Sequence, residues 1–274
     1  MQKNQLHATI AVMGSALLEI IKILPKTNCG KCGEVSCLAF AMALSTGKRL
    51  PEECPYLDRA KLPTEIAPQP ASELDQAYRI LEEIKKKVQN VDFEKVAPGL
   101  GLSHKHGRLH LPYLDGEVEL TKKNARRLDG LELDPRDQIL LYNYVIFQGY
   151  KPLTGEFVGL ETFPNSISKV ATLRRYAEEK LARALNEDFE DLRSLIYHFR
   201  SRELSGEADL AVEILVLPRV PLRVYFWRGD PEEGLSPEAK ILYDLRATEY
   251  LDLESLVFCA ERLVERWLEL GNKN

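Results

Sequence analysis

Four of the chain's five cysteines lie between residues 29 and 54, spaced C-x2-C-x4-C-x16-C as Cys29, Cys32, Cys37 and Cys54. In a reducing compartment, thiols gathered this closely read as metal ligands before they read as disulfides. The segment must then fold back on itself to bring four sulfurs around one centre. The Cys-x-x-Cys pair lets two sulfurs converge while the turn between them directs backbone N–H groups inward. Gly30 and Gly33 follow these two cysteines, at points where a side chain would crowd a bulky group and a positive φ is easily adopted. Cys37 opens an apolar stretch, CLAFAMAL, predicted to be a helix with Ser36 as N-cap and Gly47 as its stop. Its sulfur would sit in the first turn, where unsatisfied N–H groups and the positive dipole end favour negative charge.

An iron–sulfur cluster held by four thiolates is such a charge. Lys26, Lys31 and Lys48 can share in offsetting it, and Leu38, Phe40, Ile23, Leu24 and Tyr56 supply apolar cover. Structural zinc also accepts four cysteines. Zinc ribbons, however, present two Cys-x-x-Cys knuckles, whereas here one knuckle is followed by a lone helical cysteine and then Cys54-Pro55. The spacing favours iron–sulfur over zinc, and zinc over free redox-active thiols, and leaves all three open.

The run LPKTNCGKCGEVSCLAFAMAL…CPYL, about residues 20–58, resembles the module at the start of the large subunit of corrinoid iron–sulfur proteins. A related module occurs in the B subunit of membrane electron-transport complexes. The resemblance implies that Cys29, Cys32, Cys37 and Cys54 hold one [4Fe-4S] cluster, and it suggests a redox partner, a corrinoid protein or a dehydrogenase. It stops near residue 60: the rest lacks repeated βα units and a DxHxxG cobalamin signature. Residues 134–268 resemble a second family, domain of unknown function 3786, through DQILLYNYVIFQGYKPLTGEFVGLETFP, LVLPRVPLRVYFWRGD and ILYDLRATEYLDLESL. That family carries no activity to transfer. Where it has an acidic-Phe-Pro run after the Trp-Arg-Gly-Asp turn, this chain has PEEGLSPEA (231–239).

The 274 residues, 45% apolar and 29% charged, are ample for a packed core. A net charge of −5 with interleaved acids and bases offers no positive stripe for nucleic acid. The most apolar early stretch, residues 8–25, contains Glu19 and Lys22 and falls short of the roughly 18–20 unbroken apolar residues of a membrane span. It also lacks a convincing cleavage site, so no membrane insertion and a cytoplasmic location are expected.

Residues 9–23 are predicted to be a helix on the spacing of Ile10, Met13, Leu17, Ile20 and Leu24, ended by Pro25. The domain reading is a cluster-binding module at 1–61, a Pro-rich linker at 62–72 and an α+β domain at 73–274. Ser72 opens a helix with Leu74, Ala77, Leu81, Ile84 and Val88 on one side. RLHLPYLDGEVEL alternates about Asp115-Gly116, the dipeptide of a tight hairpin. Asp134-Pro135 launches an apolar helix, and two more are expected at 167–186 and 188–201. EILVLP and LRVYFW are expected to pair, with Pro218 and Pro221 at a turn or edge. Asp252 caps a closing helix striped by Leu253, Leu256, Ala260, Leu263, Trp267 and Leu270. Helices and hairpins in irregular order give an α+β fold: a small helical [4Fe-4S] module plus a larger mixed helix and antiparallel-strand domain.

Outside the cysteines, Thr154 in PLTGE and the group Trp227, Asp230 and Asp244 place polar side chains at element ends, and turn formation is the preferred reading. His104 and His106 would share a face of an extended segment, with His110 nearby, but solvated histidines are the simpler account. Tyr142, Tyr144, Phe147 and Tyr150 read as core packing, and Cys259 as an inert core thiol. No catalytic set is complete. The expected function is therefore one-electron transfer or a reductive accessory role in anaerobic metabolism. The alternatives are an iron–sulfur enzyme with a substrate or corrinoid-like ligand site in the C-terminal domain, and a structural metal module joined to a partner-binding domain.

Overall fold

A computed structural model describes residues 17, 19–45, 49–58, 61–62, 73–230, 232 and 234–272. The chain divides into two compact units, Met1–Gln76 and Ala77–Asn274. The fold is α+β.

In the first unit, residues 19–23 are helical and the helix ends before Pro25. Ile10, Met13, Gly47, Lys48, Ser72 and most of the predicted linker lie outside the described residues, as does the side chain of Leu74. Helix α1 spans Cys37–Ser45, and Ser36 caps it by accepting from the Ala39 N–H at 3.0 Å. A single 3-10 turn, Pro51–Glu53, precedes Cys54. Ile20, Leu24, Phe40, Ala41, Leu44, Cys54 and Leu57 form the buried core of this unit.

Helix α2 (Glu73–Val88) runs across the division into the second unit, where it buries Ala77, Leu81, Ile84 and Val88, and α3 (Phe93–Leu100) is capped by Asp92. A four-stranded meander follows: β1 (Ser103–Lys105), β2 (Arg108–Tyr113), β3 (Gly116–Leu120) and β4 (Ala125–Arg127), in spatial order β1-β2-β3-β4. The loop of the β2–β3 hairpin is Leu114-Asp115, one residue earlier than predicted, because Tyr113 pairs with Gly116. Leu114 takes φ 51°, and its N–H donates to the Val216 carbonyl at 3.2 Å. A Cβ at Gly116 would lie 2.5 Å from the Arg127 guanidinium, so a side chain there would have to displace that group. Asp115 ion-pairs with Arg127 at 2.9 Å and Arg266 at 2.7 Å. These charges, more than the Asp-Gly dipeptide, fix the turn.

Helix α4 (Pro135–Phe147) begins as predicted, with Asp134 accepting from the Arg136 N–H at 2.8 Å. The predicted helix at 167–186 is observed as α5 (Ile167–Leu173), a π turn over Arg174–Glu178 and α6 (Glu179–Glu187). The predicted helix at 188–201 is shorter than expected. Helix α7 (Phe189–Ser194) tightens into a 3-10 turn at Leu195–His198, and Ser201 already belongs to a strand.

The second sheet has five antiparallel strands in the order β5-β9-β8-β7-β6. They are β5 (Phe157–Gly159), β6 (Ser201–Glu203), β7 (Leu210–Leu217), β8 (Val220–Trp227) and β9 (Glu238–Asp244). One face buries Val212, Ile214, Val224, Phe226, Ile241 and Tyr243 completely, while Glu213 and Arg223 pair across the other at 2.9 Å. This alternation sets the register. Pro218 sits in the β7–β8 turn, and Pro221 lies where β9 does not reach, since the β8–β9 pairing starts at Leu222. No ladder bond is lost there. Helix α8 (Leu253–Gly271), capped by Asp252, buries Leu256, Ala260, Leu263 and Trp267 in the common core of both sheets.

Candidate metal centre

The loop before α1 is built from alternating backbone. Lys26, Asn28, Gly30 and Gly33 all have positive φ, at 57°, 47°, 68° and 82°. Alternation of this kind turns successive N–H groups to one side and forms concavities that bind anions, iron–sulfur clusters among them. Asn28 tolerates the left-handed region and uses it. Its Oδ1 accepts from the Cys37 N–H at 2.8 Å, which ties the start of the loop to the start of α1.

The four cysteines face one cavity. Cys29, Cys32, Cys37 and Cys54 line it together, with Leu24 and Phe40 contributing apolar wall. Cys29 is exposed, Cys32 and Cys37 are half-buried and Cys54 is buried. The side chains enclose about 10 Å³, room for about one water molecule. Among the described residues no three His, Cys, Asp or Glu side chains converge as a single metal ion requires. The donor chemistry nevertheless suits a group larger than one ion, with four thiols around one cavity, a concave backbone and a helix N-terminus. The Lys31 N–H, and then the Thr27 hydroxyl, hold the Cys29 thiol below its usual range.

The supporting charges differ in part from expectation. Lys31 donates to the Tyr56 hydroxyl at 2.6 Å, so Tyr56 is a polar partner at the surface and not apolar cover. Leu38 is 53% exposed and does not line the cavity, whereas Leu24 and Phe40 are buried and do. Arg49, which sequence reasoning missed, pairs with Glu34 at 2.9 Å and Glu53 at 2.6 Å. Its guanidinium lies over Gly33, where an added Cβ would meet it at 3.1 Å. Gly33 thus serves both conformation and space. Asn28 had a readable signal, an αL-tolerant residue beside a cysteine; Arg49 had none.

The other candidates do not assemble. Trp227 pairs with Glu238 at one end of β9 and Asp244 lies at the other end, roughly 20 Å away at strand rise. Asp244 is buried and accepts from the N–H groups of Thr154, Gly155 and Arg246 at 3.2, 2.7 and 2.9 Å, which makes it a turn-tying residue. Asp230 closes its own loop through a bridge to Leu235. His106 is not on a strand face with His104. It takes φ 50° and, with Gly107 at 74°, forms the two-residue turn between β1 and β2. His110 stands 3.9 Å from Glu119. Tyr142 and Tyr144 are fully buried, with hydroxyls donating to the Thr121 and Leu100 carbonyls at 2.9 and 2.6 Å, while Tyr150 lies outside α4 and is 72% exposed. Cys259 is fully buried, and burial pushes its thiol up.

A loop and helix that gather four thiols, followed by an antiparallel α+β domain, define a protein carrying a module of the iron–sulfur type. Comparison with known families agrees: residues 24–56 match a family described as "Putative Fe-S cluster". Residues 92–266 match "Domain of unknown function (DUF3786)", and the chain belongs to that family. The module is similar to the corrinoid/iron-sulfur protein large subunit of Moorella thermoacetica, 58% identical over 43 residues, which is 16% of this chain and 10% of that protein. It is also similar to the acetyl-CoA decarbonylase/synthase complex subunit gamma of Methanothermobacter thermautotrophicus, 44% identical over 54 residues, 19% of this chain and 12% of that protein. The gamma 2 subunit of that complex in Methanosarcina thermophila is 50% identical over 44 residues, 16% of this chain and 9% of that subunit. The chain thus spans about a tenth of the length of these relatives. No solved structure matches it. Among the described residues no helix is long and apolar enough to cross a membrane.

Proposed function

We propose that Cys29, Cys32, Cys37 and Cys54 hold one [4Fe-4S] cluster and that the protein passes single electrons to or from a partner protein. The observation that carries this reading is that the four cysteines, all inside the matched segment, line one cavity. Such a cluster supplies one-electron redox chemistry when bound. The chain's own residues hold and orient it. The four thiolates ligate, the concave loop presents N–H groups to the sulfurs, and the first turn of α1 and Lys31 offset negative charge. Cys29 stands at the exposed rim and Cys54 is buried, so the Cys29 side is the one a partner approaches. Val35, Leu38 and Met42 leave apolar surface on the same small module, of the kind a docking protein covers. The module's relatives include subunits named for corrinoid/iron–sulfur and decarbonylase/synthase assemblies, which supports a protein partner, a corrinoid protein among the candidates.

The test is oxygen-free full-length protein titrated with dithionite and followed by electron paramagnetic resonance. One reducible spin per chain, abolished by Cys32→Ala, is expected. Protein that takes up no electron, or a signal that survives the substitution, contradicts the proposal.

A further inference from the structure

The loop between α4 and β5, residues 148–156, is largely exposed and yet firmly tied. Gln148 turns the chain out of α4 with φ 53°. Gly149 then passes so close to Tyr250 that a Cβ would lie 2.5 Å from the ring. On its other side, the Gly149 carbonyl would lie 2.8 Å from a Cβ on Gly99 of α3. The Tyr250 hydroxyl donates to the Lys151 carbonyl, Arg246 Nη1 donates to the Pro152 carbonyl at 2.8 Å, and Asp244 holds the Thr154 and Gly155 N–H groups. From this anchored loop Tyr150 stands out with 72% of its surface exposed.

Three cations gather along the loop. Lys151 Nζ lies 5.8 Å from the centre of the Tyr150 ring. Arg246 sits on the Pro152 carbonyl. Arg219, in the β7–β8 turn, donates its Nε to the Gly99 carbonyl at 3.3 Å, and a Cβ on Gly99 would lie 3.1 Å from the Tyr150 Cα. Burial raises the pKa of the Tyr250 hydroxyl, Arg219 and Arg246 both pull it back, and Glu249 and Asp244 push it up, so both arginines lie near that one group. Among the described residues neither guanidinium pairs with a carboxylate, and each spends a single N–H on a carbonyl. Nearby acids do not fill them. Glu249 pairs with Lys151 at 2.9 Å, Asp244 is buried and spent on three N–H groups, and Glu156 stands at the end of the loop. Residues from three separated stretches, 148–152, 218–219 and 244–250, thus build one patch of exposed tyrosine and unpaired arginines.

We infer that this patch docks an acidic segment of a partner protein, with carboxylates on Arg219 and Arg246 and an apolar side chain on Tyr150. A guanidinium offers a planar fork of donors that fits a carboxylate in two-pronged fashion. Tyrosine and arginine are the residue types that carry most binding energy at protein interfaces. Phe147 before the loop and Leu245 beside its end, 39% and 38% exposed, add apolar surface of the kind an interface centre uses. Because the loop is already held by its own bonds, little ordering is lost on binding. The chain's net charge of −5 works against a long polyanion such as nucleic acid in the same place. The patch lies in the second unit and does not depend on the redox reading.

The probe is the acetylated and amidated peptide Asp-Glu-Leu-Glu-Asp, with Asn-Gln-Leu-Gln-Asn as its neutral control. Titrated into full-length protein, the acidic peptide is expected to shift the Nε–H resonances of Arg219 and Arg246 saturably, and the neutral one is not. The affinity should fall with salt. Arg219→Gln with Arg246→Gln keeps a donor for each carbonyl and is expected to weaken binding at least about tenfold. Tyr150→Ala should weaken it at least about fivefold, and its side chain is too exposed for that change to unfold the protein. Arg79→Gln, at an exposed arginine on α2, should leave binding unchanged. No saturable shift, equal binding of the two peptides, or affinity unmoved by both the arginine pair and the tyrosine substitution overturns the inference. So does inorganic pyrophosphate or a single-stranded oligonucleotide that shifts the same resonances with equal or higher affinity.

Discussion

Replacing Asp137 by alanine is expected to destabilise the larger unit by about 3–5 kcal/mol, because it leaves a buried guanidinium without its partner. Asp137 on α4 and Arg262 on α8 are both nearly fully buried and meet in a two-pronged pair, Nε to Oδ1 at 2.7 Å and Nη2 to Oδ2 at 3.0 Å. The Tyr113 hydroxyl, from the end of β2, donates to Asp137 Oδ1 at 2.6 Å. One carboxylate therefore accepts three hydrogen bonds from two buried side chains and pins a strand and two helices together. Without it, Tyr113 loses its acceptor and Arg262 keeps only Glu265. A thermal melt should fall by roughly 10 °C for a unit of this size. Replacing the pair together, Asp137→Leu with Arg262→Met, removes the unpaired charge and should recover most of the loss. A single Asp137→Ala substitution that melts within a degree or two of the parent would show that the network does not hold these elements together.

The second large effect concerns the small unit. Its buried core consists of Ile20, Leu24, Phe40, Ala41, Leu44, Cys54 and Leu57, and one of these is a proposed ligand. Cores this small usually need a metal or disulfide to stay folded, and binding energy at a site formed only in the folded state is folding energy. Chelation under oxygen-free conditions, or Cys54→Ala, is therefore expected to speed amide exchange over residues 24–57 by about a hundredfold. Residues 77–271 should keep their protection and their melting temperature. Unchanged protection in the small unit would mean that its apolar contacts suffice without metal.

The sequence disclosed most where one residue type has one physical use. Asp134-Pro135 and Asp252 both cap the helices they were expected to open, since a side-chain acceptor before an apolar periodic run has few other roles. The β7–β8 pair was legible from its alternating apolar residues. Strands β1, β4, β5 and β6 were not, because three residues are too few to show a period. Helix α3 was hidden by Pro98 and Gly99 inside it. The π turn leaves no mark in the pattern, and nothing in the sequence sets Glu178 apart from the other helical glutamates. Pairings such as Asp137 with Arg262, 125 residues apart, depend on the assembled fold. The same division holds at the cysteines. Their spacing and flanking glycines marked a common centre, whereas the roles of Asn28 and Arg49 come from three-dimensional contacts.

Iron and acid-labile sulfide in protein purified without oxygen test the central claim most directly. The account predicts about four of each per chain, falling to background when Cys29, Cys32, Cys37 and Cys54 are replaced together. Stoichiometric zinc, or a chain free of metal and sulfide, would contradict it.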